Sequence, residues 1–254
     1  ILRILTATDP ANEYAMPYMW GSVGFTFNVD MVRERIPDAD LENLDILFKP
    51  ENAAKLADCG ISILDTSDDV LMLVMSYLGV ADPYGAPTSE YQKVIDAFKP
   101  IRQHIRTFDN TNYLNALPNK EICVANNWSG DYATAKARAA EAGVDINLEY
   151  HVPKTGAPVW IDCMVIPIDA PHPENAHKFL EYILQPEVVA KCTNYTNYAN
   201  ANLPAKKFVD EAVLSNPAVY PDEAVMKRLY APRPTSEEQD RELTRALQTI
   251  KSGA

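Results

Sequence analysis

Two short runs hold the residues best suited to chemistry. Trp128-Ser129-Gly130-Asp131 follows an apolar stretch, and Trp160-Ile161-Asp162 lies within 159–166, a run that is otherwise apolar. Each sets a carboxylate within three residues of an indole. Burying an unpaired carboxylate costs several kcal/mol, so a chain that does so normally has a cation to meet it. The face of an indole is also the best aromatic partner for an ammonium group. Together the two runs suggest a pocket for an organic cation.

Alternate residues of an extended strand share a face, so Trp160, Asp162 and Met164 point one way while Val159, Ile161, Cys163 and Val165 point the other. The second set suits a core and leaves Trp160 and Asp162 aimed together at a cleft; the alternative is an edge-strand acid facing water. Asp131, just before a helical stretch, is also a good N-cap, and Trp128 could equally be a core aromatic. Their joint spacing, with Gly130 permitting a tight turn, favours presenting indole and carboxylate to one space. Asp69 sits in Thr66-Ser67-Asp68-Asp69, which also reads as a capped helix start. Tyr198 belongs to an Asn/Tyr-rich connector, where its phenol could line a pocket or close a core.

Other chemistries have little support. No Ser/His/Asp or Cys/His arrangement can be assembled, and no glycine-rich loop could cradle phosphate. Cys59, Cys123, Cys163 and Cys192 form no CxxC, and the four histidines show no ligand spacing, so neither a metal nor a cofactor is expected. Cys163, inside an apolar run, reads as a buried free thiol. The formal charge is -12, from 35 acids against 23 bases. Nucleic acid and anionic membrane are therefore poor partners, whereas a cationic ligand is drawn in by the overall field. No run approaches the roughly 20 apolar residues of a membrane span.

The elements that must position these residues alternate between strand and helix. Residues 18–29 read as a strand whose Gly21 and Gly24 let it bend closely past another backbone. A helix starts at Ser67 and stops at Gly79, and a second covers 91–98. A short buried strand at 122–125 leads through the first Trp/Asp run into an alanine-rich helix over 132–142, closed by Gly143. Strands follow at 146–152 and 159–168. A helix from Pro173 carries Ala176, Phe179, Leu180, Ile183 and Leu184 on one face. After the connector at 195–202, short helices open near Asp222 and Ser236, the latter with capping-box spacing. At 254 residues, 47% apolar and 23% charged, the chain is an ordinary globular α/β protein with mixed strand order.

At these residues the chain resembles the bacterial periplasmic polyamine-binding proteins, the putrescine and spermidine receptors of ABC importers with the type II solute-binding fold. The matching segments are 14–20 (YAMPYMW), 47–56 (LFKPENAAKL), the two Trp/Asp runs, 198–202 (YANAN) and 216–221 (NPAVYP). The resemblance implies two αβ lobes joined by crossing strands, with an amine clamped between them and no catalysis. It casts Trp128 and Asp131 as the wall and carboxylate of the second lobe, and Trp160 and Asp162 as their counterparts near the hinge. Asp69 falls where the family usually has Glu, and Tyr198 matches the tyrosine of the third crossover. Cys59 and Cys123 align with the family's disulfide, which suits an oxidising periplasm.

Relative to that family the chain looks N-terminally truncated, by roughly a small domain's worth of residues. Residues 1–17 would be a remnant of lobe one, 18–150 lobe two, 151–198 the returning part of lobe one with the hinge, and 199–254 the C-terminal helices of lobe two. The expected partners are a di- or polyamine, a membrane ABC permease, and a missing N-terminal segment or second chain that completes lobe one. Two other functions share the residues: a polyamine sensor for a membrane signalling partner, and an enzyme on the same fold.

Overall fold

The computed structural model describes residues 5, 6 and 9–253. Its strands are β1 (Met16–Asn28), β2 (Ile61–Ile63), β3 (Thr107–Phe108), β4 (Val124–Trp128), β5 (Leu148–His151), β6 (Ala157–Met164), β7 (Ala199–Asn200) and β8 (Leu229–Tyr230). The helices that matter below are α1 (Ser67–Tyr77), α2 (Tyr91–Phe98), α3 (Tyr113–Ala116), α4 (Ser129–Glu141), α5 (Pro173–Ile183), α6 (Pro186–Thr196) and α7 (Glu237–Ser252). The class is α/β with a mixed sheet ordered β3-β2-β4-β1-β6-β8, while β5 and β7 pair with β1 off this path. β2 runs parallel to β3 and β4, an arrangement that requires the crossover connections found between them.

β1 is 13 residues long and rich in aromatic and β-branched side chains that suit a pleated, buried surface. It changes partners midway. Met16 to Ser22 pair with β6, and Met19 and Trp20 pair with β7. From Val23 onward the partners are β4 and then β5, all antiparallel. At the changeover the buried Tyr150 hydroxyl donates to the Ser22 carbonyl oxygen and lies 2.9 Å from Ser22 Oγ. Gly24 is required there, because a Cβ would stand 2.6 Å from the His151 carbonyl oxygen and from the Tyr150 ring. This is the close approach the sequence suggests for 18–29.

α1 is buried on nearly every side, from Asp69 through Ser76, which explains its almost continuous apolar run. α2 and α7 pack against it. α7 contributes Leu243, Ala246, Leu247 and Ile250, and its start is fixed by the expected capping box between Ser236 and Gln239. The disulfide joins Cys59, just before β2, to Cys123, just before β4, across a separation of 64 residues.

Several expectations are corrected. The strand placed at 159–168 ends at Met164. Val159 is fully buried, but Ile161 and Cys163 are half-buried and Val165 is 62% exposed, so the apolar set does not form one core face. The reason is missing cover: β8 pairs only with Ala157 and Pro158, leaving the outer part of β6 with β1 as its neighbour. Likewise α5 has the predicted apolar face, yet none of its residues is buried and Phe179 is 57% exposed. The strand expected at 122–125 runs on from Val124 to Trp128, and α4 begins at Ser129 rather than 132. The connector at 195–202 is in part the last turn of α6, followed by left-handed Asn197 and β7. The segment 1–17 falls partly outside the described residues.

The disulfide closes a long loop, and constraining such a loop in the unfolded chain is worth about 4 kcal/mol in the chain-entropy model. Replacing Cys59 and Cys123 together with Ala is expected to lower the urea unfolding free energy by about 2–4 kcal/mol. A loss under about 1 kcal/mol would mean the cross-link restrains little.

Candidate functional site

The two indoles converge because of register on β1. Trp160 lies opposite Gly21 and Trp128 opposite Val23, and these β1 positions are two apart, hence on one face. Gly21 leaves room for the Trp160 ring, since a Cβ there would come within 2.5 Å of it. Between the indoles opens a cavity of about 470 Å³ whose walls include Asp69, Trp128, Trp160, Asp162 and Tyr198. Five of the six ligand candidates from the sequence therefore meet in one place.

Asp69, in the first turn of α1, is buried, and its Oδ2 accepts the Trp128 Nε1–H at 2.9 Å. Burial, and then the charge of adjacent Asp68, push its carboxyl up to about 7; the indole hydrogen bond pulls the other way. Among the described residues no cation pairs with it. Asp162 stands exposed at the mouth, two residues from Trp160, and desolvation raises its carboxyl above the usual range. It too has no ion-pair partner among the described residues. Two acids without counter-charges thus flank a slot walled by aromatic rings.

Asp131 is placed differently. It is the third residue of α4, whose N-cap is Trp128 without a side-chain capping bond, so the N-cap alternative does not hold. It does not line the cavity but lies behind Tyr198. Its Oδ1 accepts the Tyr198 hydroxyl at 2.7 Å and its Oδ2 the Tyr113 hydroxyl at 2.5 Å. Burial raises its carboxyl, and the two phenols hold it down. Tyr198 packs edge-on against Trp160, with ring centroids 4.9 Å apart at 74°. Gly130 makes that position possible: a Cβ would lie 2.6 Å from the Tyr198 ring.

Sequence reasoning missed Tyr18, Met19, Asp68 and Thr196 on the wall and Tyr113 behind it. Tyr18 and Met19 sit in the 14–20 segment beside the changeover, and Asp68 adjoins Asp69, so those three had a signal. Tyr113 had none, because its partner Asp131 is 18 residues away across a strand. Its phenol is pushed well above the usual range by burial and by the charge of Asp131. A second cavity, of about 490 Å³, lies along the uncovered end of β6 beside Leu180 and Leu184. Its lining is mainly apolar and continues the exposed side of α5.

Asp69 gives a pH signature. Its carboxyl holds a proton to about pH 7 when folded, against 3.8 for the ordinary group. The folded chain therefore binds the extra proton in that interval, and the contribution to stability, full below about pH 4, is lost as pH rises through 7. Asp69→Asn is expected to become more stable than the parent as pH rises through this window, by up to a few kcal/mol, and level off above it. Denaturant unfolding at several pH values measures this; a pH-independent difference would contradict it.

Comparison with known proteins agrees with the resemblance drawn from the residues. Residues 3–221 match the family described as bacterial extracellular solute-binding protein. The putrescine-binding periplasmic protein PotF of Escherichia coli (strain K12) is 38% identical over 255 residues, covering 100% of this chain and 69% of its own length. The putrescine-binding periplasmic protein SpuD of Pseudomonas aeruginosa (strain UCBPP-PA14) is 37% identical over 254 residues, with the same coverage. Among solved structures, a putative spermidine/putrescine ABC transporter from Listeria monocytogenes superposes with a TM-score of 0.82 at 25% identity, covering 97% of this chain and 73% of that one. With its two-indole cavity and its shared central strand, this chain belongs to the bacterial extracellular solute-binding protein family.

Proposed function

We propose that the protein is a periplasmic solute-binding protein that captures a di- or polyamine, of the putrescine or spermidine type, and delivers it to the membrane permease of an ABC importer. The observation that carries this reading is Asp69: a buried carboxylate, tied to an indole and facing a cavity, with no cation among the described residues. A diamine is a short apolar chain with an ammonium at each end, both charged at neutral pH because amine pKa values lie near ~10. Trp128 and Trp160 cover its methylenes. Asp69 and Asp162 accept its ammonium groups, and Asp131 is reached when Tyr198 moves aside. No catalytic step is assigned.

Ligand capture on this reading uses two lobes, one from 18–150 with 199–254 and the other from 1–17 with 151–198. The change of partners along β1 at Ser22 and Val23 supports a hinge there. Further polypeptide, in the same chain or a second one, covers the apolar surface around Val165, Ile168, Phe179 and Tyr182, which the described residues leave exposed.

Isothermal titration with putrescine and then spermidine tests the proposal. A saturable heat with one amine preferred is expected, and Asp69→Asn should weaken it by at least about 2 kcal/mol, since one end of a buried charge pair is then unmatched. A folded protein that takes up neither amine would sink the reading.

A further inference from the structure

Among the described residues, Asp131 is the one acid near the cavity with both oxygens already engaged, and by neutral donors only. The two phenols are not equivalent. Tyr198 lines the cavity, is half-buried, and leads from left-handed Asn197 into the short strand β7. Tyr113 is 1% exposed, belongs to α3, and is not among the residues lining this cavity. Oδ2 is thus tied to a phenol buried behind the wall, and Oδ1 to the phenol that lines it.

We propose that Tyr113 is a positioning residue for ligand capture: it keeps Oδ2 of Asp131 permanently engaged, so that the carboxylate offers only Oδ1, now covered by Tyr198, to an arriving ammonium group. The inference rests on the amine-binding reading of the cavity. A carboxylate oxygen has more than one lone pair, so an ammonium can displace the Tyr198 hydroxyl or join it without disturbing Tyr113. Fixing one oxygen fixes the plane of the carboxylate, and the acceptor is then preorganised before ligand arrives. Donation from Tyr113 also favours the charged form of Asp131, the form an ammonium needs. The groups facing Asp131 are Tyr113 from α3, Tyr198 from the segment before β7, Arg138 from its own helix, and the more distant Tyr150 of β5. Among the described residues only the two phenols hydrogen-bond to its carboxylate.

Tyr113→Phe keeps the ring and removes the hydroxyl. Putrescine affinity is expected to fall about ten-fold near neutral pH, and by more as the pH is lowered, because the donor that favours the ionised acid is gone. A packing defect would weaken binding equally at every pH. In the double variant with Asp131→Asn, the loss should match that of Asp131→Asn alone, since Tyr113 acts through Asp131. Additive losses, or a loss independent of pH, would overturn the proposal. Carbon-13 NMR titration of the Asp131 carboxyl, without ligand, separates the two readings. If the parent protein binds no amine, the amine reading fails by itself. An upward shift of the Asp131 titration in Tyr113→Phe still supports the positioning role, and an unshifted titration rejects it.

Discussion

The hydrogen-bond register of a single strand governs the rest of the molecule. β1 is paired along its first half with β6 and β7 and along its second with β4 and β5, so both indoles, Asp162 and Tyr198 are referenced to it. Trp160 is set by Gly21, Trp128 by Val23, and Tyr198 by the pairing of Ala199 with Trp20. A slip of one residue would turn each of these side chains to the opposite face. Small residues at the changeover follow from the same constraint, because the Trp160 and Tyr150 rings occupy the space that side chains at positions 21 and 24 would need.

On this frame the protein places acids where they are least comfortable. Asp69 could be relieved by a lysine or arginine, and many surface acids of the chain are paired in that way, as Asp58 is with Arg35. It is instead left with an indole N–H as partner. Among the described residues the carboxylate of Asp131 receives only phenols, and that of Asp162 no hydrogen bond or ion pair. Leaving charges unmatched in a low-dielectric slot is unfavourable for the empty protein and makes the slot strongly attractive to a positive guest. The net charge of -12 extends the same preference outward as a field.

Much of this could be read from the sequence, and the limits have physical causes. Trp128, Trp160 and Asp162 are visible because an indole beside an acid in an apolar run is locally odd, whereas Asp69 and Tyr198 stand out only through the family resemblance. The α1, α2 and α7 segments are visible through periodicity and caps. Local pattern failed where tertiary cover decides the outcome. The apolar side of β6 beyond Ile161 and the face of α5 carry the right residues for a core, yet nothing among the described residues packs over Val165 or Phe179. Asp131 was read as facing the ligand space directly, and the intervening Tyr198 ring depends on a contact with Gly130 that spacing along the chain does not reveal. Tyr113 is further still from view, since only folding brings it to Asp131.

The unmatched carboxylate of Asp69 also bears on how long the molecule lasts. A cation that settles beside it binds the folded chain and not the unfolded one, and so adds to the free energy of unfolding by mass action. The filled protein then opens less often than the empty one, and proteases cut chiefly what has opened. The lifetime of the receptor would thus follow the supply of its cargo, and abundance could be matched to demand without a separate regulator.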